Sequence, residues 1–358
     1  MNRPVRRTLL LCGIAIALVV GAITGCSTIA YYSQAVSGHL GVMARARPVD
    51  TQLEDSSLSA SLRGRLRAAV EIRDFASRAL GLPDNGSYRS YADLGRPYAL
   101  WSAFAAEPFS IKLKASCFPV AGCVSYRGFY SEQSANDYVA DLRKAGLDVF
   151  VTGVAAYSTL GWFDDPLLNT FINYPNAELA RLVFHELAHQ VLYVQDDSMF
   201  NESFAVAVEE EGVARWLTVY GNTADRQAYE ASRTRQRDFT ALVLRYQRRL
   251  DALYQSELPL VAKETEKARL FGEMRADYVA MKTSSWGGYA GYDRWFAQEL
   301  NNALLGSVGI YTELVPAFRA LLARERGELP AFYRAARELG ALAKTERNAR
   351  LESLAGKN

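Results

Sequence analysis

The chain has 358 residues, of which 49% are hydrophobic and 22% charged, a composition typical of globular proteins that are long enough to bury a sizeable core. The formal net charge of +2 includes three arginines in residues 1–25, a stretch without acidic residues, and subtracting these three charges leaves −1 for the rest of the chain. With neither a basic excess nor a clustered basic stripe, the sequence excludes a nucleic-acid-binding protein, and we expect no nucleic-acid partner.

The pattern of the first residues predicts an export signal, which would not belong to the folded domain. A basic start, MNRPVRR, precedes an apolar run that ends at Cys26, the layout of a secretory signal. Residues 23–26 resemble a bacterial lipobox, which implies cleavage before Cys26 and a lipid on this residue, and Ser27 implies by the same resemblance an outer membrane location facing the periplasm. We expect a signal peptide in 1–25 and a lipid-anchored tether to the membrane in 26–57. An uncleaved signal anchor is the alternative, because the apolar run is close to membrane-spanning length.

The next part of the chain predicts one helix followed by a small sheet. Residues 58–80 form an amphipathic helix by their apolar period, and Gly81 ends it. A second helix, capped by Ser131 and ended by Gly146, is predicted between two strands. The strands are predicted from short β-branched and aromatic runs between turn residues. These runs cover residues 98–103, 124–130 and 149–154.

Two cysteines remain for the mature chain, because Cys12 leaves with the signal and Cys26 carries the lipid. Cys117 and Cys123 flank a short segment that contains proline and glycine, and an exported compartment allows such a pair to form a disulfide. We predict this disulfide. Two free thiols are the alternative, and zinc binding by the pair is less favoured.

Residues 155–168 predict a loop between the sheet and the next helix, with polar and aromatic groups and no clear period. It is either a packed connector or a substrate-facing loop in which Tyr157 or Trp162 lines a cleft.

The most informative stretch is ELARLVFHELAHQ, which places His185, Glu186 and His189 in the H-E-x-x-H spacing. The apolar residues around it keep a helical period, with Asn176 as the expected N-cap. On a helix the imidazoles at i and i+4 lie on one face, so both can reach one zinc ion at roughly 2.0–2.1 Å. Glu186 lies about 100° further round the helix, where its carboxylate can take a proton from water at the metal. The motif therefore predicts one Zn²⁺ per chain and requires a third ligand.

A second helix is predicted from about Asn201, in FNESFAVAVEEEGVARWLTVYG. Glu202 and Glu209 share one face of this helix within an apolar stripe, where a carboxylate requires a partner. Glu202 follows His189 by thirteen residues, enough for the chain to reverse, and would complete a set of two histidines and one glutamate. Glu209 is predicted to hydrogen bond a ligating histidine, or alternatively to be the ligand itself.

Residues 222–358 predict a helical C-terminal part of the same catalytic unit. Its long runs of mixed charge are expected to be solvated helix faces, with an interaction surface as the alternative. His39 lies far from the motif in sequence, and we expect it to be structural or exposed.

The stretch NESFAVAVEE resembles the second-helix motif with which gluzincin aminopeptidases supply a glutamate ligand after H-E-x-x-H. A wider resemblance, to a bacterial lipoprotein family of predicted zinc aminopeptidases, covers nearly the whole mature chain. It implies His185, His189 and Glu202 as zinc ligands and Glu186 as the catalytic base. The chain departs from gluzincin aminopeptidases in the shorter spacing from His189 to Glu202 and in having no G-x-M-E-N motif, which there binds the substrate's free amino group. The stretches that carry the wider resemblance are IRDFASRALGLPDNGSYRSYADLGRPY, CFPVAGCVSYRGFY, AYSTLGWFDDPLL, FHELAHQ and FNESFA.

Together these features predict an α+β, predominantly helical, zincin-like metallopeptidase fold. Residues 58–221 would hold the catalytic part, with a small sheet beside the metal helix. The predicted function is a zinc-dependent peptidase of the cell envelope, an aminopeptidase by resemblance, acting on a peptide substrate. Tyr157 is the candidate for stabilising the oxyanion, because no spare histidine lies near the motif. The alternative is a lipid-anchored binding or scaffold protein with a non-catalytic metal site. An intact Glu186 argues against it, since structural sites normally close with four protein ligands.

Overall fold

The computed structural model describes residues 31–118, 122–308 and 314–356. The chain divides into two compact units, one ending at Arg45 and the other beginning at Ala46. In the first unit, residues 31–43 form a helix, α1. The predicted signal peptide and the predicted lipid site, Cys26, lie outside the described residues. No helix in the described ranges is both long enough and apolar enough to cross a membrane.

The second unit is an α+β fold in which helices predominate. Its first elements, β1 and α2, fall within the stretch predicted as a tether, so the chain is part of the fold from Ala46 onward. In chain order the elements are β1 (Arg47–Pro48), α2 (Val49–Glu54), α3 (Ala60–Leu80), β2 (Ser90–Ala92), β3 (Leu100–Ala106), β4 (Ser116–Phe118), β5 (Gly122–Val124), β6 (Arg127–Phe129), α4 (Glu132–Lys144), β7 (Asp148–Val154), β8 (Leu167–Leu168), α5 (Asn176–Val191), α6 (Ser198–Tyr220), α7 (Thr223–Gln255), α8 (Leu260–Ser284), α9 (Asp293–Phe296), α10 (Asn302–Gly306), α11 (Val315–Arg324), α12 (Leu329–Gly340) and α13 (Lys344–Leu354).

The two helices predicted before the motif are confirmed, and their ends have physical causes. Ser59 caps α3 with its hydroxyl oxygen, and Gly81 ends the helix in the left-handed region at φ 65°, which glycine adopts without a Cβ clash. Ser131 caps α4 in the same way.

The central sheet has the order β6-β3-β7 with antiparallel pairing. β3 and β7 pair along their whole length, which confirms the strands predicted at 98–103 and 149–154. The third predicted strand, 124–130, is divided: β6 joins this sheet, whereas β5 pairs with β4 in a separate hairpin. A bend at residues 125–126 separates β5 from β6.

The helix that carries the H-E-x-x-H motif, α5, packs mainly against α6 and α3. The central sheet packs mainly against α4 and α10. Among helices and strands, the main neighbours of the motif helix are therefore α6 and α3 and not the central sheet. In the C-terminal part, α7 pairs with α8, while α11 packs on α6 and α13 packs on α11.

Candidate metal centre

α5 carries both His185 and His189, and most apolar residues of this helix are buried. The helix begins at Asn176, with Pro175 in the cap position. Asn176 is thus the first helical residue, and the predicted N-cap is wrong. Its side-chain oxygen accepts a hydrogen bond of 2.6 Å from Arg65 on α3. His189 is buried and His185 is partly buried.

A short reversal of the chain returns α6 against α5. Asn201 braces this turn, because its side chain accepts a hydrogen bond from the N–H of Val194 (2.7 Å) and donates one to the carbonyl of the same residue (2.8 Å). Asp197 caps α6 by accepting a hydrogen bond from a backbone N–H of the first turn. α6 therefore begins at Ser198, earlier than the predicted start, and Glu202 lies in its second turn.

His185, His189 and Glu202 converge between α5 and α6. One donor atom from each lies within 4.8 Å of the other two. The Nε2 atoms of His185 and His189 are 3.2 Å apart. The carboxylate of Glu202 lies 3.2 Å from Nε2 of His185 and 3.6 Å from Nε2 of His189. Tetrahedral zinc with bonds of about 2.0–2.1 Å separates its ligand atoms by roughly 3.3–3.4 Å. The donor set therefore fits one zinc ion, and three protein ligands leave the fourth position for water or substrate.

Glu209, two turns further along α6, contacts the other ring nitrogen of His185. Its Oε2 lies 2.9 Å from Nδ1 of His185 and 3.1 Å from the guanidinium of Arg181. Burial opposes the ionisation of this carboxyl, but Arg181 and His185 outweigh it and hold the pKa of Glu209 below its ordinary value. An ionised carboxylate at Nδ1 keeps a proton there and directs Nε2 at the ligand cluster. Glu209 thus contacts Nδ1 of His185, as its predicted hydrogen-bonding role requires, and lies outside the group of three converging donors.

In the metal-free chain the same contacts favour a charged imidazole. Burial lowers the pKa of His185, but hydrogen bonds with Glu202 and Glu209 outweigh it and raise this pKa to about 10. Burial likewise opposes the ionisation of Glu202, whereas its hydrogen bonds to both histidines hold its pKa well below the ordinary value. The imidazolium of His185 donates to Glu209 from Nδ1 and to Glu202 from Nε2. A metal ion at the cluster would replace the Nε2 proton.

Glu186 has a raised pKa, with burial as the main cause and the two histidines opposing it. It lies close enough to Tyr88 and Asp165 for its negative charge to raise the pKa of each, in addition to the larger effect of burial. Burial, together with the negative charges of Glu186 and Asp164, raises the pKa of Asp165 to about 6. The hydroxyl of Tyr88 and Oδ1 of Asp165 are buried, and neither has a hydrogen-bond partner within the described ranges. The base of the motif thus adjoins two buried polar groups with unused hydrogen-bonding capacity.

Tyr88 was not predicted from the sequence. It is one of twenty tyrosines, and its position depends on the loop after α3. That loop wraps around the fully buried Arg73, whose guanidinium donates to the carbonyls of Ser87 and Pro83 at 2.7 Å each. Tyr88 itself has φ 61°, a left-handed conformation that no pattern of residue types announces.

Tyr157, the predicted oxyanion stabiliser, packs its ring edge-on against Tyr130 at 5.6 Å. Burial, followed by the charge and hydrogen bond of Tyr130, raises the pKa of Tyr157 well above its ordinary value. Its hydroxyl therefore has a protein partner, in contrast to that of Tyr88. The role predicted for Tyr157 stays a prediction.

The loop 155–168 combines buried and exposed side chains, and a substrate-facing role for it stays a prediction. Asp165 is buried, and Trp162 is 72% exposed. Gly161 approaches Gln190 on α5, and the amide of Gln190 also bonds Asn85 (2.7 Å) and Ser87 (3.1 Å). The residue that follows His189 therefore contacts two loops at once.

Cys117 and Cys123 form a disulfide across the β4–β5 hairpin. The N–H of Cys123 donates a hydrogen bond of 2.7 Å to the carboxylate of Asp196. Asp196 belongs to the turn between α5 and α6, so the disulfide-closed hairpin contacts the turn that positions Glu202.

Comparison with known proteins adds one match. A family model described as "Putative aminopeptidase" matches residues 30–351. No curated protein and no solved structure matches the chain. The zincin-like fold stays a prediction, because no structural relative supports it. The family match spans most of the chain and includes every residue of the candidate metal centre, and the chain therefore belongs to the Putative aminopeptidase family.

Proposed function

We propose that the chain is a zinc-dependent peptidase in which His185, His189 and Glu202 hold one zinc ion and Glu186 is the general base. The convergence of three donor groups at zinc spacing carries this proposal. Membership of a family described as aminopeptidases supports the hydrolysis of peptide bonds. We further propose that the enzyme releases single residues from the amino terminus of its substrate. The family description alone supports this part of the proposal.

The residues around the cluster divide the chemistry among them. A bound zinc ion would supply a Lewis acid that polarises the scissile carbonyl and acidifies water nearby. Glu186 takes a proton from the attacking water, and the water oxygen bonds to the carbonyl carbon. When the carbon–nitrogen bond breaks, Glu186 returns this proton to the leaving nitrogen. Burial raises the pKa of Glu186 above its ordinary value, which makes its carboxylate a stronger proton acceptor.

Two substitutions test the proposal on zinc-loaded protein with peptides that have free or acetylated amino termini. Glu186→Gln keeps the size of the side chain but removes the proton acceptor, so kcat should fall by at least about 100-fold at unchanged zinc content. Glu202→Gln should lose most of the zinc. Cleavage of peptides with free termini only would support an aminopeptidase.

Glu211→Gln is the matched control, since Glu211 lies on α6 and pairs with Arg215 at 2.7 Å. It should keep both zinc and activity. Near-normal cleavage by Glu186→Gln would refute the mechanism. Wild-type zinc affinity in Glu202→Gln would move the third ligand elsewhere, with Glu209 as the first alternative. Stoichiometric zinc without cleavage of any peptide would favour a binding or scaffold protein.

We also propose that the protein is exported and anchored to the outer membrane by a lipid on Cys26. The support is the basic, apolar and Gly-Cys order of residues 1–26. Mass spectrometry of the amino-terminal peptide should find a lipid-modified Cys26 as the first residue. An unmodified peptide that spans Gly25 and Cys26 would contradict the proposal.

A further inference from the structure

A cavity of about 750 Å³ extends from the ligand cluster between α5, α6 and α7. His185 and Glu202 form part of its lining, so the proposed metal centre lies at its edge. Apolar side chains, among them Phe239 and Leu244, contribute to the wall. The volume falls within the roughly 300–1,000 Å³ of pockets that enclose small ligands.

Every carboxylate that lines this cavity already has a partner. A free amino group of a substrate would therefore have to compete with an arginine or a histidine for each of them. The contacts are Glu178 with Arg181 (2.8 Å), Glu202 with His185 (3.2 Å), Glu209 with His185 (2.9 Å), and Glu210 with Arg233 (2.8 Å) and Arg319 (2.7 Å).

Arg237 is the exception among the lining arginines. Within the described residues no carboxylate pairs with it, and its guanidinium donates only to the hydroxyl of Thr234 on its own helix, at 3.2 Å. The side chain is exposed at the cavity. The lining thus offers one guanidinium without a counter-charge, and a zinc ion at the cluster would add further positive charge.

We propose that this cavity binds the carboxyl-terminal side of a short peptide, with a carboxylate of the last residue on Arg237. The inference rests on the proposed peptidase function and names the substrate class for it. A guanidinium binds a carboxylate through two parallel hydrogen bonds, which fixes orientation as well as charge. The peptide's amino-terminal side then lies beyond the metal centre, outside this cavity. The carboxylate is the terminal one or that of an acidic last residue.

Binding can be measured apart from catalysis in zinc-loaded Glu186→Gln protein by calorimetry. The ligands are trialanine, trialanine amide and alanyl-alanyl-aspartic amide. Trialanine should bind at least about tenfold more tightly than its amide, in keeping with a charged hydrogen bond. Tight binding of the aspartic amide would show that a side-chain carboxylate is accepted as well. Adding Arg237→Ala should remove the preference for a carboxylate.

Arg248→Ala is the matched control, because Arg248 is an exposed arginine on the same helix that does not line this cavity. It should leave the preference unchanged. Equal binding of trialanine and its amide, or a preference that survives Arg237→Ala, would overturn the inference. Cleavage by the unmodified enzyme is assayed separately. Failure to cleave any peptide would refute the peptidase, whereas cleavage without discrimination in binding would refute the carboxylate site alone.

Discussion

At the scale of single residues, Tyr88 is the most unusual group near the motif. Its side chain is 1% exposed, and its hydroxyl has no partner within the described ranges. Leaving such a group unsatisfied costs about 1–3 kcal/mol. Glu186 lies near enough to affect its pKa, so a substrate or a bridging water beside Glu186 would give the hydroxyl the partner it lacks.

Tyr88→Phe should therefore change stability and activity in opposite directions. The free energy of unfolding should stay the same or rise by up to about 1 kcal/mol, because an unsatisfied group is removed. The kcat should fall by about tenfold or more at unchanged zinc content, if the hydroxyl bonds a group at the reaction centre. Chemical denaturation and peptide cleavage measure the two effects.

Tyr157→Phe is the comparison for Tyr88→Phe, because it removes a hydroxyl that is bonded to Tyr130. It should lower stability by about 1 kcal/mol, and we expect the smaller loss of kcat from it. A larger loss from Tyr157→Phe would return the oxyanion role to Tyr157.

The residues of the site differ in how far the sequence could predict them. His185, Glu186 and His189 lie within one helical segment, so their spacing alone places them on adjoining faces. Glu209 could be placed by helical period once Glu202 was assumed to face the metal. Tyr88 could not, since its position depends on a buried arginine and a left-handed backbone.

At the scale of elements, the beginning of α6 depends on a buried ion pair. Asp197, which caps this helix, receives a hydrogen bond of 2.6 Å from Arg347 on α13, and both side chains are about 95% buried. Glu202 lies about one turn further along the helix. Removing one charge of such a pair leaves the other charge buried without compensation. This lowers the free energy of unfolding by about 3–5 kcal/mol.

Arg347→Met should lower the free energy of unfolding by about 3 kcal/mol or more. It should also weaken zinc binding, because the turn before Glu202 loses a fixed end. Arg350→Met is the control on the same helix, since Arg350 is exposed and its ion-pair partner among the described residues is Glu346. Arg350→Met should lower the free energy of unfolding by less than about 0.5 kcal/mol. Unfolding curves and zinc titrations that match the wild type for Arg347→Met would contradict this account.

Helix boundaries were predictable where a local cap ends the helix, as Ser59 and Gly81 do for α3. They were misplaced around α5 and α6. The start of α6 carries a local signal, since Asp197 is a preferred capping residue and accepts from the N–H of Phe200 three positions on. The contacts of Asn176 with Arg65 and of Asp197 with Arg347 join residues far apart in sequence, and no local window contains them.

At the scale of the whole molecule, zinc binding should be coupled to protons. The metal-free protein holds a proton on His185 with a pKa of about 10, whereas its unfolded value is near 6.5. The charged imidazole therefore stabilises the metal-free fold fully below about pH 6.5 and loses this effect as the pH rises through about 10. Zinc requires the neutral ring.

Zinc should accordingly release about one proton per ion, and its affinity should rise roughly tenfold per pH unit between pH 7 and 9. Calorimetry in buffers of different ionisation enthalpy measures the released protons. Zinc at about 1,000 times its dissociation constant should also stabilise the fold by about 4 kcal/mol. An affinity that does not change over this pH range would contradict the assignment of the charged His185.

The overall class, α+β and mostly helical, was predictable because period and length distinguish the long helices from the short strands. The arrangement of these elements was not. The packing of α11 on α6 and of α13 on α11 depends on side chains that are far apart in sequence, and helical period gives only the buried face of each helix.

The ion pair between Asp197 and Arg347 can form only after the three proposed ligands have been synthesised. The two residues are 150 positions apart, and a chain is synthesised from its amino terminus. All three proposed ligands are present once residue 202 has emerged, whereas the guanidinium that neutralises Asp197 belongs to residue 347. An incomplete chain therefore has every ligand and yet a cap with an uncompensated charge. α13 thus neutralises the cap of α6 only after the three proposed ligands have been made.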